Sequence, residues 1–96
     1  MKTIKLFPVT GSFAENKDVA RDIRVKEIIP SIDKNEEVTL DFKYVDSATQ
    51  SFIHALISDI IRNYGIEILD KIFFKNCSDT VKKIINIVTD YMQERD

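Results

Sequence analysis

The sequence predicts a small α/β domain in which helices pack on a mostly parallel sheet of three to four strands. Three observations lead to this expectation. Short stretches with an apolar period of two alternate with longer stretches of helical period. The order they give is β-α-β-α-β-α, and strands joined through helices run parallel with right-handed crossovers. The chain has 96 residues, 44% hydrophobic and 31% charged, enough apolar surface for one core and a single domain spanning residues 1–96.

Residues 2–7 (KTIKLF) alternate, with Ile4 and Leu6 on one side and Lys5 on the other, which predicts a strand. Pro8 bars its continuation and Gly11 marks a turn. Val9–Phe13 is a candidate additional edge strand. Residues 16–32 predict a helix with Asn16 as N-cap. Its apolar residues fall on two faces, Val19, Ala20 and Ile23, then Val25, Ile28, Ile29 and Ile32, and Pro30 is expected to kink or end it.

After a turn at Lys34-Asn35, residues 36–42 (EEVTLDF) read as a strand, with Val38, Leu40 and Phe42 alternating with Thr39 and Asp41. The strongest helix covers 48–64, where Phe52, Ile53, Leu56, Ile57, Ile60, Ile61 and Tyr64 recur at helical spacing. Ser47 and Gln50 fit a capping box, with Thr49 and Ser51 as alternative caps. Gly65 stands where a left-handed residue is expected. A connector at 66–69 leads to a strand at 71–75 (KIFFK). Asn76 to Asp79 turn the chain, Ser78 caps, and the last helix runs over 79–93 on a stripe of Val81, Ile84, Ile85, Val88 and Met92.

Net charge is −2 and the lysines are interleaved with acids, so nucleic acid is not an expected partner. One cysteine and one histidine provide neither a disulfide nor a metal-ligand set, and no cofactor is expected. With no basic-then-apolar leader and no apolar run near the ~18 residues of a membrane span, the expectation is a cytoplasmic protein without a membrane partner.

The stretch from Ile23 to Lys75 resembles a family of STAS-like domains of unknown function. The matching features are Ile23-Arg24, the Ile28-Ile29-Pro30 helix end, the strand Val38-Thr39-Leu40-Asp41-Phe42, Ser51-Phe52, Tyr64-Gly65, Leu69 and Lys71-Ile72-Phe73-Phe74. The wider superfamily includes bacterial anti-sigma factor antagonists. The resemblance implies a sheet with helices packed on it and a regulatory surface at the start of the helix after the central strand. In the antagonists that turn reads Asp-Ser-Ser-Gly and a serine is phosphorylated. By spacing, the matching segment here is Thr49-Gln50-Ser51-Phe52, with Thr49 in place of the aspartate and Gln50 at the phosphoacceptor position. Members of the group look like companions of histidine-kinase-type ATPases, which implies a kinase-like ATPase as the protein partner.

Several constellations carry a chemical reading and a plainer one. Ser51, His54 and Ser58 share a helix face, but a Ser-His catalyst also needs an orienting acid and an oxyanion site in a pocket, so the expectation is a polar stripe and no enzyme. Asp41 and Asp46 read as an outward strand residue and a turn former rather than a metal site. Gly11-Ser12 lacks the phosphate-loop patterns. Cys77 is either a thiol activated by a helix start or a half-buried filler. Phe73 and Phe74 point to opposite sheet faces, so a one-sided helix layer would leave one of them for a partner or a dimer mate. Ile87 and Tyr91 either extend a contact patch or widen the core stripe of the last helix.

The expected function is a non-catalytic protein-interaction module that regulates a partner. Its contact surface is Ser47, Thr49, Gln50, Ser51 and His54, extended by Ser58 and Arg62. The alternative is a small-ligand or nucleotide sensor using the N-terminus of the central helix.

Overall fold

The computed structural model describes residues 1–93. The chain runs β1 (Lys2–Lys5), α1 (Phe7–Thr10), β2 (Phe13–Ala14), α2 (Lys17–Ile23), a π-helical turn (Arg24–Ile28), α3 (Ile29–Asp33), β3 (Val38–Asp41) and β4 (Ser47–Ala48). It continues through α4 (Gln50–Tyr64), a 3-10 segment (Ile66–Lys71), β5 (Ile72–Lys75) and α5 (Asp79–Gln93). The main sheet is parallel, in the order β1-β3-β5, as the alternation of elements predicts. The register sets Thr3 beside Thr39 beside Phe73, and Lys5 beside Asp41 beside Lys75.

The strand order never reverses, so two right-handed crossovers carry their helices to the same side of the sheet. Ile4, Val38, Leu40 and Ile72 point into that side and are buried with Phe52, Leu56, Ile57 and Ile60 of α4 and Val81 and Val88 of α5. The opposite face, Thr3, Lys5, Thr39, Asp41, Phe73 and Lys75, has no helical layer among the described residues. Apart from the short turn α1 at its end, the described helices lie on the other face, so of the two phenylalanines Phe74 packs against the core and Phe73 stays 43% exposed.

Three local expectations are corrected. Val9–Phe13 does not add a strand to the main sheet: Phe7–Thr10 coil into one helical turn, and Phe13–Ala14 pair in parallel with β4 as a separate ribbon. Pro30 does not end its helix. A proline ring clashes with the carbonyl four residues back, and the turn before it widens so that the Ile29 N–H donates to the Arg24 carbonyl five residues back. Helical structure then continues to Asp33, with the Ser31 hydroxyl donating to the Glu27 carbonyl at 3.0 Å. The capping box at Ser47 does not form, because Ser47 belongs to β4 and Thr49 caps α4.

The remaining caps follow the chemistry of their residues. The Asn16 side chain accepts from the Asp18 and Val19 N–H groups, and the Ser78 hydroxyl accepts from the Val81 N–H at 3.1 Å. Gly65 ends α4 at φ 87°, a backbone that L side chains adopt only with strain. No helix among the described residues is long and apolar enough to cross a membrane.

Candidate functional site

The loop after β3 and the first turns of α4 hold the residues singled out by the sequence. The Thr49 hydroxyl accepts from the Phe52 N–H at 3.0 Å, which fixes the start of the helix. The next two residues, Gln50 and Ser51, are exposed. The helix supplies no acceptor for their N–H groups, and the positive end of a 15-residue helix lies there.

One turn on, His54 is half-buried, and its Nδ1 is 3.2 Å from the Ser58 hydroxyl. Ser58 is only 2% exposed, so it steadies the imidazole from below and does not extend the outer stripe. The spacing of polar residues predicts a longer stripe than the fold allows, because α2 and α5 flank α4 on both sides. Arg62 is exposed but engaged elsewhere, pairing with Asp59 at 2.8 Å. Asp59 in turn pairs with Arg24 at 3.2 Å, and Arg24 donates to the Ala55 carbonyl at 2.6 Å, clamping the end of α2 to α4.

Of the seven candidates, Gln50, Ser51 and His54 come together in one groove. Lys17, Ala55, Ile87, Val88 and Tyr91 complete its lining, and its volume is about 500 Å³. Ser47 and Thr49 lie just upstream with structural duties, in the β2–β4 pairing and the helix cap. Lys17 is 33 positions from Gln50 in sequence, and no local pattern links the two. Ile87, 46% exposed, and Tyr91 form the apolar wall, and the tilted rings of Tyr91 and His54 have centroids 6.5 Å apart. The polar head of α4 and the outer face of α5 therefore form one surface, and Ile87 and Tyr91 extend it rather than widen the core stripe.

The described lining of the groove carries few of the groups that covalent chemistry needs. The hydroxyl bonded to His54 belongs to buried Ser58 rather than to Ser51, and among the described residues no Asp or Glu lines the groove. Its polar end offers N–H groups, the Lys17 ammonium and short polar side chains, which together favour an acidic or phosphorylated group. Cys77 is half-buried, and burial pushes its thiol pKa up, the direction opposite to an activated thiol. Among the described residues no group of three or more His, Cys, Asp or Glu gathers as metal ligands would.

The family model of a STAS-like domain of unknown function (DUF4325) matches residues 22–82, more than half of the chain. No curated protein and no solved structure matches.

Proposed function

The chain belongs to this STAS-like family, and from that premise we propose that it is a non-catalytic regulatory module that docks a protein partner in the groove between α4 and α5. By family analogy the partner is a histidine-kinase-type ATPase. The observation that carries this reading is the union of a polar, anion-favouring helix start with an exposed apolar wall on one side of the molecule. Protein-binding surfaces pair apolar anchors with a polar rim in this way. The pairing of His54 with buried Ser58 rather than with an exposed nucleophile supports a non-catalytic role.

The groove's volume also lies in the range of small-ligand sites, about 300–1,000 Å³, so a phosphorylated small ligand is the second reading.

Affinity capture with the wild-type chain and with Gln50→Arg as bait tests the proposal, followed by calorimetry on the ATPase recovered. The expected result is binding to the wild type and at least about tenfold weaker binding to the variant, about 1.4 kcal/mol. Equal affinity for both would refute it. A nucleotide that raises the thermal midpoint of the wild type but not of Gln50→Arg would favour the ligand reading instead.

A further inference from the structure

A second crevice, of about 550 Å³, opens on the uncovered face of the sheet where the strands end. Its lining includes Lys5, Asp41 and Lys75, the last residues of β1, β3 and β5, which the register sets side by side. Neighbouring strands are ~4.8 Å apart, so the two lysines stand roughly 10 Å apart with the carboxylate between them. Lys43 adds a third ammonium from the loop after β3. Three lysines against one carboxylate make this crevice basic in a chain whose net charge is −2.

The carboxylate is already engaged. Asp41 accepts from the Asn76 side chain and from the Lys43 backbone N–H, both at 3.0 Å. None of the three lysines makes an ion pair among the described residues.

An aromatic pair borders the same crevice. Tyr44 is 66% exposed and sits at φ 72°, a conformation that is a costly outlier for a bulky side chain. Burial does not repay that cost, because the ring remains in solvent. The strained backbone sets the ring edge-on to Phe7, with centroids 5.6 Å apart, and under the Lys43 ammonium at 5.2 Å. Strain of this kind concentrates at sites that bind.

We propose that this crevice is a second docking site, taking an acidic peptide segment of a partner whose carboxylates meet Lys5, Lys43 and Lys75 and whose apolar side chain rests on Phe7 and Tyr44. Charge complementarity selects the occupant: the lysines sit at separate points of a sheet edge, spaced for several carboxylates along an extended chain.

Fluorescence anisotropy with a short labelled peptide of glutamates around one leucine tests the site on the full chain. The expected result is saturable binding that weakens at least tenfold in Lys43→Glu/Lys75→Glu. Tyr44→Gly should also weaken binding while keeping the thermal midpoint, since glycine relieves the positive φ. Gln50→Arg, in the other groove, should leave peptide binding unchanged. Equal binding by the wild type and the lysine variant would overturn the site. So would equal affinity for a peptide with serine replacing the leucine, or tighter binding of inorganic phosphate or a single-stranded oligonucleotide than of the peptide.

Discussion

Ile57 and Ile87 are the same side chain on two adjacent helices, and the fold assigns them opposite duties. Ile57 is 0% exposed in the middle of α4, and Ile87 is 46% exposed on the groove side of α5. Truncating a fully buried isoleucine to alanine removes apolar contact and leaves a cavity, which costs about 2–5 kcal/mol. In a domain whose whole stability is on the order of 5–15 kcal/mol, that loss lowers the thermal midpoint by roughly 8 °C or more. Ile87→Ala removes a side chain that still meets water, and alanine is the better helix former, so its cost should stay within about 0.5 kcal/mol. Urea unfolding followed by circular dichroism measures both, with the slope m as a check that each variant unfolds from the same compact state. An Ile87→Ala cost equal to that of Ile57→Ala would refute the reasoning. Ile87 would then be core, and the groove a seam with no free wall.

Asp41 and Cys77 provide two further tests. The hydrogen bond from the Asn76 side chain, followed by that from the Lys43 N–H, holds the Asp41 pKa below its ordinary value. A carboxylate with a lowered folded-state pKa stabilises above its unfolded pKa and loses that contribution as pH falls through the folded one. The stability gap between wild type and Asp41→Asn should therefore be full at neutral pH and close as pH drops below about 4; a gap independent of pH would show that the carboxylate's charge is not what is held. Burial raises the Cys77 thiol pKa, so alkylation by iodoacetamide at neutral pH should be slower than for a free cysteine and speed up on addition of denaturant. Alkylation as fast in the native state as in the unfolded state would contradict this.

What the sequence made legible follows the range of the interactions involved. The stripe through Phe52, Ile53, Leu56, Ile57, Ile60, Ile61 and Tyr64 is a local period, and all of it is buried except Tyr64, which stays exposed at the helix end and donates its hydroxyl to Asp33. Asn16 and Ser78 cap because a short polar side chain needs only the next turn of its own helix. The misreadings arise where a distant segment decides. Ser47 fits a capping box until Phe13 pairs with it from across the chain. Ser58 continues a polar stripe by spacing, yet the helices packed on either side of α4 bury it. Pro30 reads as a kink or a stop, and the pattern cannot show which, because it does not reveal that the preceding turn will widen to i−5 bonding and let helical structure run on. The groove itself joins Lys17, the head of α4 and the outer face of α5, three segments with no local sequence relation. The open sheet face was legible only as a conditional, since Phe73 and Phe74 show opposite orientations but not which side the helices take.

The docking claim is tested most directly by a calorimetric double-mutant cycle on the proposed protein partner, once captured, with Gln50→Arg at the polar head of the groove and Ile87→Asp on its apolar wall. One shared surface predicts that each variant weakens binding at least tenfold, about 1.4 kcal/mol, that the two losses are non-additive as for neighbouring contacts, and that both thermal midpoints stay within a few degrees of wild type. Unchanged affinity in both variants, with the proteins folded, would place the functional surface elsewhere on the molecule.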